Sequence, residues 1–321
     1  MDLNKTVTEF VILGFSNLGQ YRPVAFTLMF MIYIMIIAGN VSISVLIIID
    51  RCLHMPMYYF ICMLSVLAIC NTAVTIPSML VIIWKGRSHI SFNKCIMQVY
   101  LFHSFGITEN YLLNVMAYDR FVAICNPLRY HTTMTPSHCK VLVSCCWLLG
   151  FLSPITSIAS LSQLPFCGPN EINHLFCDSS PLQNLACIDN DVVLIVDFVI
   201  NLCLITSTFL FVLITYVQII LNIMKIRCKK GRRKTFSTCA SHLAVVLLFY
   251  GSVGFMYIRP KKNFTSEYDK LVAINYSVLT PLFNVIIYSL RNKEIKIALK
   301  KIFKTKVFFN RIVQSSTTKF T

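Results

Sequence analysis

The sequence predicts an all-α integral membrane protein, a bundle of seven crossing helices followed by a short amphipathic helix. Three observations predict it. Hydrophobic residues make up 56% of the 321 residues and charged residues only 13%, with a mean hydropathy of +0.68, more apolar surface than one soluble core buries. Apolar runs long enough to cross about 30 Å of hydrocarbon as helices occur seven times. The connecting segments alternate between Lys/Arg-rich and Lys/Arg-poor, as membrane topology demands.

In chain order, residues 1–22 carry Asp2, Lys5, Glu9 and Arg22 and lack the basic start, apolar middle and small-residue cleavage site of a signal peptide. The first crossing is therefore expected to act as its own signal anchor. Asn4-Lys5-Thr6 makes Asn4 a glycosylation acceptor if this end lies outside. Crossings are expected at 23–49, 57–84, 95–117, 141–162, 192–224, 235–258 and 271–290. The chain divides accordingly into an N-terminal segment, 1–22, a membrane domain, 23–290, and a tail, 291–321, that carries the surface helix. An odd number of crossings puts the two ends on opposite sides.

Twenty Lys and Arg fall on the side holding the tail and nine on the other, so the tail side is expected to be cytoplasmic. The net charge of +16 then reflects topology and attraction to anionic lipid. A nucleic-acid partner would need a basic face on a soluble domain, and no soluble stretch is long enough to fold alone. In the tail, RNKEIKIALKKIFK sets Ile295, Ile297 and Leu299 among lysines, a pattern for a helix lying on the inner leaflet. The fourteen cysteines form neither a CxxC pair nor a Cys/His ladder at zinc spacing, so no metal site or cofactor is expected. Four of them, Cys95, Cys167, Cys177 and Cys187, fall on the outer side, where two disulfides could form in any of three pairings.

The third crossing runs into Met116–Met134, MAYDRFVAICNPLRYHTTM, where Asp119 and Arg120 interrupt the apolar pattern. A charged residue at the bilayer centre costs about 2.5–3.5 kcal/mol on insertion scales, so the pair belongs at a membrane face or in a polar interior. No paired Asp, Ser/His set or HExxH string stands at matching depth for an intramembrane enzyme. A transporter would call for polar or broken helices at midplane and related halves, and an odd crossing count disfavours it.

Five ordered strings narrow the reading: LHMPMYYF at 53–60, MAYDRFVAIC at 116–125, KTFSTCASHL at 234–243, FYGS at 249–252 and PLFNVIIYSLRN at 281–292. They resemble the signatures of the vertebrate odorant-receptor family, within the rhodopsin-like G-protein-coupled receptors. The resemblance implies a receptor, not an enzyme, in the plasma membrane of olfactory cilia. It would bind a small, mostly hydrophobic odorant and activate a heterotrimeric G protein of the stimulatory type, raising cyclic AMP. The nearest alternative is a rhodopsin-like receptor for a nonvolatile ligand outside the olfactory epithelium.

Site residues follow from the same resemblance. Asp119 holds Arg120 at rest, and Tyr216, His242 and Tyr288 take part in coupling to the G protein. Phe102, His103, Gly106 and Ile107 on the third crossing, Tyr250, Phe255 and Tyr257 on the sixth, and Asn275 and Ser277 on the seventh face the ligand. Cys95 pairs with Cys177 and Cys167 with Cys187. Asn40, Glu109 and Asn284 form a polar core. Two departures fall in that core. Ala68 stands where the family has an aspartate, which removes the second carboxylate a sodium site requires. Val285 stands in place of a proline, which restores a backbone donor and is expected to straighten the seventh helix.

Overall fold

The computed structural model describes residues 7–166, 170–187, 191–225, 227–257, 266–288, 292 and 294–301. Asn4 and Cys167 lie outside the described residues, and so do the side chains of Phe255 and Tyr257. The chain enters as strand β1 (Glu9–Ile12) and crosses in α1 (Arg22–Ile49) and α2 (Pro56–Lys85). After β2 (Ser88–Ser91) come α3 (Phe92–Cys125), a single turn α4 (Tyr130–Thr133), and a fourth crossing made of α5 (Pro136–Leu152) and α6 (Ile155–Ser162). Then follow β3 (Glu171–Ile172), α7 (Ser179–Asn184), α8 (Asp191–Met224) and α9 (Lys229–Tyr257). The seventh crossing joins α10 (Ser266–Ile274), a π-helical turn at Asn275–Leu279 and α11 (Thr280–Ile286).

Local chemistry places the boundaries. Pro56 and Pro136 open α2 and α5, where a missing N–H costs nothing. Thr135 Oγ1 accepts from the His138 N–H at 3.2 Å and caps α5. Gly86 ends α2 in the left-handed region at φ 80°, its N–H donating to the Ile82 carbonyl at 2.8 Å. In the seventh crossing Val285 lies within α11; Ile287 and Tyr288 just after it are π-helical again, and the longer irregularity is the π-helical turn at Asn275–Leu279. Pro281 explains it. The Ser277 carbonyl, four residues back, has no donor from the proline ring, and the turn widens. Val285 instead packs on Gly39 of α1, where a Cβ would overlap its side chain.

Helix α3 sits at the centre of the bundle, against α2, α5 and α8. Among the described residues four helical stretches are long and apolar enough to cross a membrane by length and composition alone: Leu18–Ile49, Pro56–Lys85, Pro136–Ser162 and Phe198–Met224. Their outward residues, such as Leu28, Ile48, Leu148 and Ile214, are exposed and apolar, which suits hydrocarbon and not water.

One end of the bundle is closed by a lid. Its three strands run in the order β2-β1-β3, with β1 antiparallel to β2 and parallel to β3. The N-terminal segment thus supplies the central strand. EFVI alternates, so Phe10 and Ile12 turn inward to pack with Ile172 and with Phe166, whose ring lies 5.4 Å from Phe10. A disulfide joins Cys95, at the start of α3, to Cys177 in the lid. Cys187 is also disulfide-bonded. Lys270 of α10, fully buried, donates from Nζ to the Gly14 carbonyl at 2.8 Å and ties the N-terminal strand to the seventh crossing.

Candidate functional site

Beneath the lid lies a small cavity of about 40 Å³. Helix α3 contributes Phe102, His103, Gly106, Ile107 and Asn110, a row at helical spacing. The far wall is Asn201, Leu204 and Ile205 of α8 with Phe249 and Val253 of α9, and Tyr276 closes the side toward the seventh crossing. Aromatic rings dominate. Phe102 meets Phe176 of the lid at 4.9 Å and Tyr276 edge-on at 5.4 Å, geometry that the ring quadrupoles favour. Gly106 is required by the same packing, since a Cβ there would overlap the Tyr276 hydroxyl.

The polar groups at this cavity are few and placed by backbone. His103 Nδ1–H donates to the Val99 carbonyl one turn back at 2.9 Å, which leaves Nε2 to accept from the Ser179 hydroxyl at 3.4 Å. Nε2 also stands 4.0 Å from the buried carboxylate of Asp178. Gln98 holds the lid from below: its Nε2 donates to the Val74 carbonyl at 2.7 Å, and its Oε1 accepts from the Cys177 N–H at 3.0 Å.

The residues named from sequence fall in several places. Phe102, His103, Gly106 and Ile107 line the cavity. Tyr250 stands behind Asn110, donating to its Oδ1 at 2.6 Å and accepting from Asn114 Nδ2 at 2.9 Å. Asn275 Nδ2 donates to Ser252 Oγ at 3.2 Å, and Ser277 Oγ donates to the Ala273 carbonyl at 2.5 Å, so both hydroxyl and amide are spent on helix packing. Sequence reasoning passed over Asn110, Phe249 and Tyr276. Asn110 could have been found as the residue four after Gly106.

At midplane, Asn284 Nδ2 donates to Glu109 Oε1 at 3.2 Å, joining the third and seventh crossings. Asn40 instead donates to the Ile36 carbonyl of its own helix at 2.9 Å. Ala68 is buried and supplies no second carboxylate. Among the described residues no group of three His, Cys, Asp or Glu side chains could hold a metal.

At the end of α3 away from the lid, Asp119 is fully buried and the Arg120 side chain is 15% exposed. Asp119 Oδ2 accepts from Arg120 Nη2 at 2.7 Å and Nε at 3.1 Å, while Oδ1 accepts from the Tyr130 hydroxyl of α4 at 2.9 Å. Both carboxylate oxygens are therefore used, which is what a desolvated ion pair needs. Beside it, the Tyr216 hydroxyl and His242 Nδ1 are 2.5 Å apart, with their rings stacked at 5.8 Å, linking α8 to α9. The Tyr288 hydroxyl is buried and has no hydrogen-bond partner among the described residues. Next to this site the tail forms a helix at 294–301, capped by Asn292, whose Oδ1 accepts from the Glu294 N–H at 3.1 Å. Ile295 and Ala298 turn to the bundle while Ile297 is exposed, and Glu294 Oε2 accepts from the Tyr58 hydroxyl at 2.6 Å.

The family model described as olfactory receptor matches residues 29–306. Human olfactory receptor 6N1 is 50% identical over 295 residues, 92% of this chain and 95% of that protein. Human olfactory receptor 10R2 is 43% identical, covering 92% of this chain and 88% of its own length. Mouse olfactory receptor 1M1 is 42% identical, covering 94% and 96%. With seven crossings and a match over nearly its whole length, the chain belongs to the olfactory receptor family of G-protein-coupled receptors, multi-pass proteins of the plasma membrane that are not enzymes.

Proposed function

We propose that the protein binds a small, mostly hydrophobic odorant in the cavity beneath the lid and transmits its presence to a heterotrimeric G protein at the opposite face. The lid side is then extracellular and the tail side cytoplasmic, in keeping with the excess of Lys and Arg near the tail. The family's setting suggests olfactory cilia and a stimulatory α subunit that raises cyclic AMP.

The observation that carries this reading is the doubly hydrogen-bonded Asp119–Arg120 pair at the base of the same helix that lines the cavity. Such a pair is strong only while water is excluded, so it has two natural states, closed and hydrated. The cavity supplies the trigger. Its roughly 40 Å³ holds little more than a few waters, so an odorant entering it displaces Phe249 or Tyr276. Phe249 is on α9, which also carries His242 beside Arg120. Ligand binding at one end of α9 thereby acts on the latch at the other. The wall chemistry suits an apolar body with one polar group, satisfied by His103 or Asn110.

The test is a broad odorant panel on cells expressing the receptor with a cyclic AMP reporter. The reading requires at least one volatile, mainly apolar agonist whose potency falls when Ile107 or Val253 is replaced by Trp. Agonism confined to nonvolatile polar ligands would contradict it.

A further inference from the structure

A second and larger cavity, about 400 Å³, opens on the outside of the bundle between α3, α5 and α8. Its rim is Leu149 and Phe211, and the neighbouring Leu148 and Ile214 are also exposed, so the mouth faces hydrocarbon. Its floor differs from its rim. Asn114 and Thr208 line it, and both belong to the hydrogen-bonded group that backs the ligand cavity. Asn114 Nδ2 donates to the Tyr250 hydroxyl at 2.9 Å and to the Asn110 carbonyl at 2.8 Å, and Asn110 Nδ2 donates to Thr208 Oγ1 at 3.1 Å. These bonds fix the orientation of the Asn114 amide and leave its Oδ1 with no donor among the described residues. An acceptor at a hydrocarbon-facing cavity calls for a hydroxyl from a bound molecule.

Depth selects the molecule. Asn114 is six residues before Arg120, about 9 Å further into the membrane along α3. A lipid headgroup stays at the interface, and an acyl chain reaches this depth but brings no donor. A small alcohol dissolved in the bilayer brings both an apolar body and a hydroxyl.

We propose that this cavity is a second binding site, entered from the membrane, for a bilayer-dissolved alcohol whose hydroxyl donates to Asn114 Oδ1 and whose hydrocarbon part lies between Leu149 and Phe211. The site is joined to the cavity beneath the lid through the hydrogen bonds of Asn114 with Tyr250 and Asn110, so an occupant tunes the response of that cavity. The binding itself does not depend on the proposed odorant function, and its test reads occupancy alone.

Full-length receptor in phospholipid nanodiscs is irradiated with a diazirine-bearing octanol, and adducts are mapped by peptide mass spectrometry. Adducts should concentrate on the segments around 142–149 and 207–211 and be competed by octan-1-ol but not by octane. Asn114→Leu, which keeps the volume and removes the acceptor, should lower the yield there roughly threefold to tenfold, the range for one lost hydrogen bond. Val115→Trp, which fills the cavity without touching the hydrogen-bonded floor, should abolish it, so the result stands even if Asn114→Leu misfolds. Labelling spread evenly over the apolar faces of α1 and α8, equal competition by octane, or unchanged labelling in Val115→Trp would each overturn the proposal. Equal competition by octane would assign the cavity to acyl chains.

Discussion

The Tyr250 hydroxyl of α9 donates to Asn110 Oδ1 of α3 across 2.6 Å, a polar contact between the wall of the ligand cavity and the sixth crossing. The same hydroxyl accepts from Asn114, so Tyr250 joins two amides of α3 in one partly buried hydrogen-bonded chain. Tyr250→Phe leaves the Asn110 and Asn114 amides short of a partner each, at a cost of about 1–3 kcal/mol. We expect unchanged surface expression and an agonist potency shifted roughly tenfold or more, read from cyclic AMP dose-response curves. An unshifted curve would detach this contact from signalling.

Gly106 and Tyr276 supply a test of cavity packing. A methyl group at Gly106 occupies the space of the Tyr276 hydroxyl, so Gly106→Ala forces the ring aside and weakens agonists. Removing that hydroxyl relieves the overlap. The double variant Gly106→Ala with Tyr276→Phe should recover most of the potency lost by Gly106→Ala. If the two losses simply add, the residues are not coupled in this way.

The lid should loosen in acid. His174 is buried in it, with Nδ1–H donating to the Phe176 carbonyl at 3.0 Å, and burial holds its pKa below the usual imidazole value despite the nearby Asp178 carboxylate. Lys270 adds to the lowering. A histidine kept neutral in the folded lid binds fewer protons than the unfolded one. Its contribution is therefore complete above the unfolded value, about 6.5, and is lost as pH falls below it toward the folded value. Hydrogen exchange of residues 170–178 should speed up between pH 7.5 and 5.5 after correction for intrinsic rates. His174→Asn should flatten that dependence, and a wild-type lid insensitive to acid would refute the assignment.

Tyr58 and Glu294 hold the tail helix to the second crossing. Tyr58→Phe removes a hydrogen bond to a carboxylate, worth about 1.5–3 kcal/mol. Exchange protection across 294–301 should fall by roughly tenfold or more while that of α2 stays the same. Equal protection in both proteins would show that Ile295 and Ala298 suffice to dock the helix.

What the sequence revealed follows from physics. The seven crossings are legible because hydrocarbon demands about twenty apolar residues per helix, and α1, α2 and α8 obey within a residue of the expected limits. The Cys95–Cys177 bond is legible through family resemblance, whereas spacing alone left three pairings. The lid sheet is not legible: EFVI and SHIS are four residues each, and their pairing bridges segments some eighty residues apart in the chain. The cavity wall is legible on α3, where polar residues mark the inward face. On α8 and α9 it is not, because Leu204, Ile205 and Phe249 face the cavity with the same chemistry that Leu210 and Leu247 present to lipid. The effect of Val285 is half legible: it sits within α11, but Ile287 and Tyr288 after it are π-helical, and the widened turn before Pro281 depends on a residue whose role the sequence did not separate from its neighbour's.

The Asp119–Arg120 pair carries the central claim, and Arg120→Ala tests it most directly. With the strongest agonist of the odorant panel, surface expression is measured by antibody on intact cells and signalling by cyclic AMP. The account predicts a receptor that reaches the surface at a level similar to wild type, retains its Cys95–Cys177 bond and gives no cyclic AMP response at saturating agonist. A full response from a surface-expressed Arg120→Ala receptor would contradict it.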